Sequence, residues 1–152
     1  MRGGVLLTAI LFAAAALPAG AGPPLSGKWI LEVAQSDFGN AARLTRATAE
    51  YTLRGDVANA IQISSVAGGQ QKNQMTWYLD GLRHPSQQPA PGYSITHWNG
   101  HTLVNERSSS DGIYAETIRV TLSPDGRTAT EIVDAKTPHG SNHEKLIWKR
   151  AQ

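Results

Sequence analysis

The 152-residue sequence has no cysteine. That excludes a disulfide framework and a lipid-modified cysteine behind an N-terminal leader. The chain must hold its fold by packing alone. An excess of one charge is also missing: 14 Lys and Arg stand against 12 Asp and Glu, a net charge of +2. The basic residues form no run. Nucleic-acid binding calls for a basic stripe or patch, so a nucleic-acid partner is set aside. Helical periodicity is scarce as well. Beyond the first 21 residues no window of a dozen residues keeps apolar side chains at i, i+3, i+4 and i+7.

One long apolar run is present, Val5–Leu17. Arg2 precedes it, and Ala19-Gly20-Ala21 follows as a small-residue A-x-A cleavage site. Together these read as a secretory signal peptide over residues 1–21. The run falls short of the roughly 20 apolar residues that a membrane span needs. An uncleaved anchor is the competing reading, and the cleavage site speaks against it. The expectation is a secreted or periplasmic monomer with one domain over residues 22–152 and no stable membrane insertion once the leader is removed.

What fills residues 22–152 is short alternation of polar and apolar residues, the mark of half-buried strands. In "TRATAEYTLR" (45–54) Ala47, Ala49, Tyr51 and Leu53 share one face. Ile61 and Ile63 share a face of the next run, and Met75, Trp77 and Leu79 of the one after. Tyr114, Glu116, Ile118, Val120 and Leu122 share another, opposite Ala115, Thr117, Arg119 and Thr121. The last run aligns Leu146, Trp148 and Arg150. Turn signals separate the runs: Gly55-Asp56, Asp80-Gly81, Asn99-Gly100, Asp111-Gly112 and Asp125-Gly126. Such pairs suit tight turns between antiparallel strands. The pattern predicts an all-β chain of eight or nine strands, near 28–34, 44–54, 59–66, 73–80, 93–98, 101–108, 113–122, 128–135 and 142–150. Neighbouring hairpins favour a single up-and-down antiparallel β-barrel over a Greek key. Two stretches break the rhythm. "SDFGNAARL" (36–44) has room for a helical turn. "HPSQQPAPGYS" (84–94) is too proline-rich for a central strand and reads as a lid or a plain surface connection.

The first strand opens on Gly27-Lys28-Trp29. This matches the G-x-W motif that starts the first strand of the lipocalin-like (calycin) superfamily, which the chain resembles from Gly27 to Arg150. The wider pattern "GKWILEVAQSDF … SPDGRTATE … WKR" is similar to a group of secreted bacterial lipocalin-like proteins of uncharacterised role. Glu32 and Gln35 depart from that group's pattern, and the disulfide and T-D-Y turn of the better-known lipocalins are absent. The resemblance implies that a basic residue near the end of the last strand, Arg150 or alternatively Lys149, packs over Trp29 and closes the bottom of the barrel. It supplies no catalytic residues. The residues themselves agree with a structural role. Gly27 allows close backbone approach, Trp29 can bury on the order of 200 Å², and a guanidinium on its ring adds roughly 0.5–2 kcal/mol.

Candidate chemistry is sparse. If Asn99-Gly100 is the turn, Trp98 pairs with His101 and His97 lies on the opposite face, a poor geometry for joint metal binding. His139 and His143 sit in a glycine-containing turn and read as solvated. No serine lies in a G-x-S-x-G context. Glu116 and Glu131 could face each other across the hairpin at Asp125-Gly126. If Glu131 points inward it could pair with Arg119 as a polar anchor; the alternative is a solvent-side ion pair. The aromatic residues Tyr51, Trp77, Tyr78, Tyr93, Trp98, Tyr114 and Trp148 suit a ligand pocket or a filled core. Small inward residues, Ala47 and Ala49, tilt the balance toward a cavity. The reading is a barrel that binds a small apolar or amphipathic molecule through Tyr51, Trp77, Tyr93, Arg119 and Glu131, without metal or cofactor. Gly27, Trp29 and Arg150 are its structural closure. The alternatives are an enzyme using the same pocket (an isomerase, cyclase or hydrolase) and a cell-envelope interaction module with a packed interior.

Overall fold

The structure, a computed structural model, describes residues 25–87 and 90–152. The signal-peptide reading lies outside the described residues, as do Gln88 and Pro89 of the proline-rich segment. Ten strands form one antiparallel sheet: β1 (Gly27–Leu31), β2 (Arg46–Arg54), β3 (Val57–Val66), β4 (Gly69–Tyr78), β5 (Arg83–Ser86), β6 (Gly92–Asn99), β7 (Thr102–Ser109), β8 (Ala115–Leu122), β9 (Thr128–Thr137) and β10 (Gly140–Arg150). Their order is β4-β3-β2-β1-β10-β9-β8-β7-β6-β5. Every neighbour is a sequence neighbour except β1 and β10, whose ladder joins the two ends of the chain. The two sheet edges, β4 and β5, share no ladder, and β4 folds back against β6. The result is an up-and-down barrel closed except at one seam.

The expected meander is present with ten strands rather than eight or nine. The extra strand is β5, which runs into the start of the segment expected to be loop. It pairs only with β6, with Pro85 opposite Tyr93, so its proline stands in an edge strand where a missing N–H donor is tolerated. Two turns also differ. The β6–β7 turn is Gly100-His101, one residue later than expected, so Asn99 pairs with Thr102 and Trp98 with Leu103. Gly100 has φ of 59°, and among the described residues only glycines take positive φ. That fits a turn needing positive φ only at its first central position. The helical turn lies at Val33–Gln35, before the 36–44 stretch. Phe38 in that stretch is buried instead, and Asp37 bridges to Lys145 of β10.

The period-2 reading sorts the faces. Ala47 and Ala49 of β2, Ala58 and Ala60 of β3, Trp77, Ile118, Val120, Leu122, Leu146 and Trp148 are all buried within the barrel. In β3 the two isoleucines lie on the outer face: Ile61 is 37% and Ile63 36% exposed.

Trp29 anchors the closed end. It is 1% exposed and packs in one cluster with Leu25, Leu103, Val120, Leu122, Ala129 and Trp148. Its indole Nε1 donates to the Leu25 carbonyl at 2.9 Å. Trp29 is paired with Arg150 across the β1–β10 ladder, and the guanidinium carbon lies 4.3 Å from the ring centroid. Arg150 also donates from Nε to the Gly126 carbonyl at 2.8 Å and from Nη1 to the Ser26 carbonyl at 2.6 Å. Gly27 makes room for it. Its φ is 122°, and a Cβ there would sit 2.7 Å from Arg150 Nη1. The closure is thus a cation–π contact wrapped by two charge-assisted hydrogen bonds.

Two substitutions test this closure by urea unfolding. Trp29→Ala should lower the unfolding free energy by about 3–5 kcal/mol. Arg150→Lys keeps the charge but loses the fork that reaches both carbonyls, and should cost about 1–3 kcal/mol.

Candidate functional site

Above the Trp29 plug the barrel holds a cavity of about 560 Å³. Small side chains on β2 and β3 leave the space. Apolar lining comes from Met75, Trp77, Ile118, Val133, Leu146 and Trp148, and polar lining from Gln62, Ser64, Gln71 and Asn73 of β3 and β4. Tyr51 lies between cavity and plug. Its ring is tilted 43° against Trp77 at 6.0 Å.

Charge sits inside this wall. Arg107 of β7 lies directly opposite Glu116 of β8, and the two form an ion pair through Nη2 and Oε2. Both side chains are largely buried, and Arg107 Nε has no hydrogen-bond partner among the described residues. Glu131 of β9 also points inward. Its Oε2 accepts a hydrogen bond from Trp148 Nε1 at 2.7 Å. Burial pushes its carboxyl from the ordinary 4.5 to about 7; the Trp148 bond opposes the shift, while Glu144 and Glu116 add to it. Its remaining accessible surface faces the cavity rather than the outside. Glu144 of β10 is half-buried, and burial raises its carboxyl too, against a 2.8 Å hydrogen bond from Asn142 Nδ2. Burial and the nearby Glu131 push the Tyr51 phenol far up. The Tyr114 phenol is pushed up to about 12, chiefly by burial and then by Glu116. An enclosed, low-dielectric wall disfavours each charged form, which is why these shifts share a direction.

Of the residues named from the sequence, Tyr51, Trp77 and Glu131 meet at this cavity. Tyr93 and Arg119 do not. Tyr93 stacks under Arg83, whose guanidinium carbon is 3.9 Å from the ring, and it borders an outer depression of about 860 Å³. Arg119 lies opposite Ile132, one residue out of phase with Glu131, which lies opposite Val120. Neighbouring strand residues point to opposite faces. Arg119 is therefore outside, with Nη1 2.9 Å from Asp134 Oδ2, and the Arg119–Glu131 anchor does not form. Glu116 faces Ala135 rather than Glu131. The inward arginine is Arg107, which the sequence did not single out because its face, Leu103, Asn105 and Ser109, is mostly polar. Glu116 carried a signal: it is the lone charge on the Ile118, Val120, Leu122 face.

The histidines stand apart from the cavity. His143 Nδ1 contacts Asp134 Oδ1 at 2.6 Å on the outer surface, and His84 Nε2 contacts both carboxylate oxygens of Asp80 at 3.0 and 2.9 Å. Among the described residues no three His, Asp or Glu side chains gather in a way that could hold a metal ion.

The raised Glu131 carboxyl has a stability consequence. The folded chain holds this proton above the pH at which the unfolded chain releases it. The associated stability is full below about 4.5, falls as pH rises toward 7 and is flat above that. Glu131→Gln removes the ionisation and keeps an acceptor for Trp148. It should raise stability at pH 8 by about 1–3 kcal/mol and leave it nearly unchanged at pH 4.5, as read by urea unfolding at both values.

No protein-family model matches the sequence, and no curated protein does. Solved structures do match. Fatty-acid-binding protein 1 of Echinococcus granulosus superposes with a TM-score of 0.63 at 13% identity, over 84% of this chain and 98% of that one. Secretory abundant heat soluble protein 4 of Ramazzottius varieornatus gives 0.59 at 12% identity, over 89% and 100%. The zebrafish ileal bile acid-binding protein complexed with cholic acid gives 0.52 at 15% identity, over 83% and 98%. These likenesses establish the fold: an antiparallel β-barrel similar in shape to that of the fatty-acid-binding proteins.

Proposed function

We propose that this chain binds a small apolar or amphipathic molecule inside the barrel. The observation that carries the reading is the cavity of about 560 Å³ inside the barrel, lined by Trp77, Trp148, Leu146 and Ile118 together with amides and carboxylates. Ligand pockets of this volume typically pair an apolar wall with a few placed polar groups. The structural neighbours support it: one is a fatty-acid-binding protein and another a bile acid-binding protein complexed with cholic acid. The cavity also weighs against the interaction-module alternative, which requires a packed interior. The leader sequence over residues 1–21 supports export of the chain, and with it a secreted or periplasmic site of action for a lipocalin-like monomer resembling the secreted bacterial group.

One observation favours a second reading. Glu131 is enclosed and titrates near 7, the range in which a carboxyl can both give and take a proton. An enzyme using the pocket would have its acid or base there. The two readings separate in what the chain retains. A binder and its Glu131→Gln variant should copurify with the same small molecule. An enzyme's variant should accumulate a different one, its unconverted substrate.

The test is native mass spectrometry of protein purified from its own host, with tryptophan fluorescence during re-addition of any released molecule. A bound small molecule and a fluorescence change are expected, and Trp77→Ala should weaken binding about tenfold or more. Protein that carries nothing, and whose fluorescence responds to no apolar or amphipathic molecule, would refute the proposal.

A further inference from the structure

We propose that the cavity selects an amphiphile with a protonated amine head over one with a carboxylate head, the ammonium lying against Glu131 and Glu144 and the apolar body against Trp77 and Trp148. This rests on the cavity being a ligand site.

The charge inventory of the wall carries the inference. Arg107, the arginine lining the cavity, is already committed to Glu116. Lys72 lies at the rim on the exposed edge strand β4. Neither Glu131 nor Glu144 forms an ion pair among the described residues. With Arg107 and Glu116 cancelling, the cavity is left with two carboxyl groups and no buried cation free to pair with them among the described residues. A ligand carboxylate placed there would meet like charge in a low-dielectric space, where repulsion is strongest.

Acceptor atoms without a partner point the same way, and the unpartnered donor Arg107 Nε belongs to a guanidinium already paired with Glu116. Glu131 Oε2 takes the Trp148 hydrogen bond, and its other oxygen has no partner among the described residues. The Tyr51 hydroxyl, deep in the same wall, also forms no hydrogen bond among them. An ammonium brings three N–H donors and no acceptor, which suits two carboxyl groups and a phenol oxygen. A bare metal ion fits less well, because the carboxylates do not gather as a metal set.

The groups facing Glu131 are Glu116, Glu144, Arg107 and Tyr51, with Tyr114 beside Glu116. Of these charges only Arg107 favours its ionisation, and Arg107 is neutralised by Glu116. An alkyl ammonium stays protonated to about pH 10. Its binding should therefore strengthen as pH rises through 7 and Glu131 ionises. A carboxylate ligand should show the opposite trend.

The experiment is isothermal titration of the purified protein with dodecylamine, dodecanol and dodecanoate at pH 5.5 and 8, repeated on the Glu131→Gln/Glu144→Gln double variant. At pH 8 the amine should bind at least about tenfold tighter than the alcohol, and the carboxylate more weakly than the alcohol. The amine's advantage should shrink at pH 5.5 and vanish in the double variant, whose fold is checked by its unfolding curve. Dodecanoate binding as tightly as the amine would overturn the head-group inference and leave the cavity reading standing. An amine advantage that survives in the double variant would also overturn it, since the ammonium would then sit elsewhere. If none of the three binds and native mass spectrometry finds no ligand, the cavity reading itself fails, and this inference with it.

Discussion

The five-residue strand β1 carries more than its length suggests. It joins β2 on one side and β10 on the other. Without the β1–β10 ladder the sheet would be two separate meanders, β1 to β4 and β5 to β10. Trp29 holds that junction because its neighbours come from both halves: Ala49 on β2 and Arg150 on β10. The guanidinium ties the ring to backbone carbonyls at Ser26 and Gly126, so it fixes the position of the last strand as well as covering the indole. In a chain without disulfides this is the long-range link that turns a sheet into a container.

The interior then divides by residue size. β2 and β3 supply four buried alanines, while β4 and β10 supply tryptophans. Alanines cannot fill the span that tryptophans reach into from only one side, so a void is built into the composition of the wall. Polar groups turn inward around that void. Keeping Glu131 there is unfavourable, because a well-packed apolar residue of similar volume would cost less to bury. A carboxyl retained against that cost, and shifted toward neutrality, is a common mark of a functional site.

How much of this the sequence discloses depends on contrast between faces. β2, β8 and β10 were legible because one face is apolar or small and the other charged or hydroxylated. β3 shows where contrast misleads. Its isoleucines lie outside and its Ala58, Ala60, Gln62 and Ser64 inside, since a cavity wall does not require the more apolar face. β7 gave no clear alternation, so Arg107 went unnoticed although Glu116 across from it stood out. The Arg119–Glu131 pairing failed on face: Arg119 alternates with the inward Ile118 and Val120 and so points out while Glu131 points in. The β8–β9 ladder pairs Leu122 with Ala129, the register that a turn centred on Asp125-Gly126 gives, and in it Arg119 lies opposite Ile132. Residues one apart in a strand stand on opposite faces, so a pair must agree in phase as well as in position. Sequence can assign faces within a strand, but the phase between strands is set by loop geometry.

That phase is what assembles the site. Glu116, Glu131 and Glu144 come from three consecutive strands of the sheet, β8, β9 and β10, and they share the interior only while both ladders keep their register. Slipping β9 by one residue would turn Glu131 outward and Arg119's partner Asp134 inward. Trp148 links this requirement to the barrel closure. In the β1–β10 ladder it lies opposite Leu31, in the β10–β9 ladder opposite Ala129, and its indole N–H bonds Glu131. The same side chain is part of the Trp29 cluster. The plug that seals one end of the barrel therefore also fixes the orientation of its deepest carboxyl. A disturbance at Trp29 that reached Trp148 would alter the proton affinity of Glu131 before it opened the cavity. The separation of a structural end from a binding end is a matter of degree, and Trp148 is where the two meet.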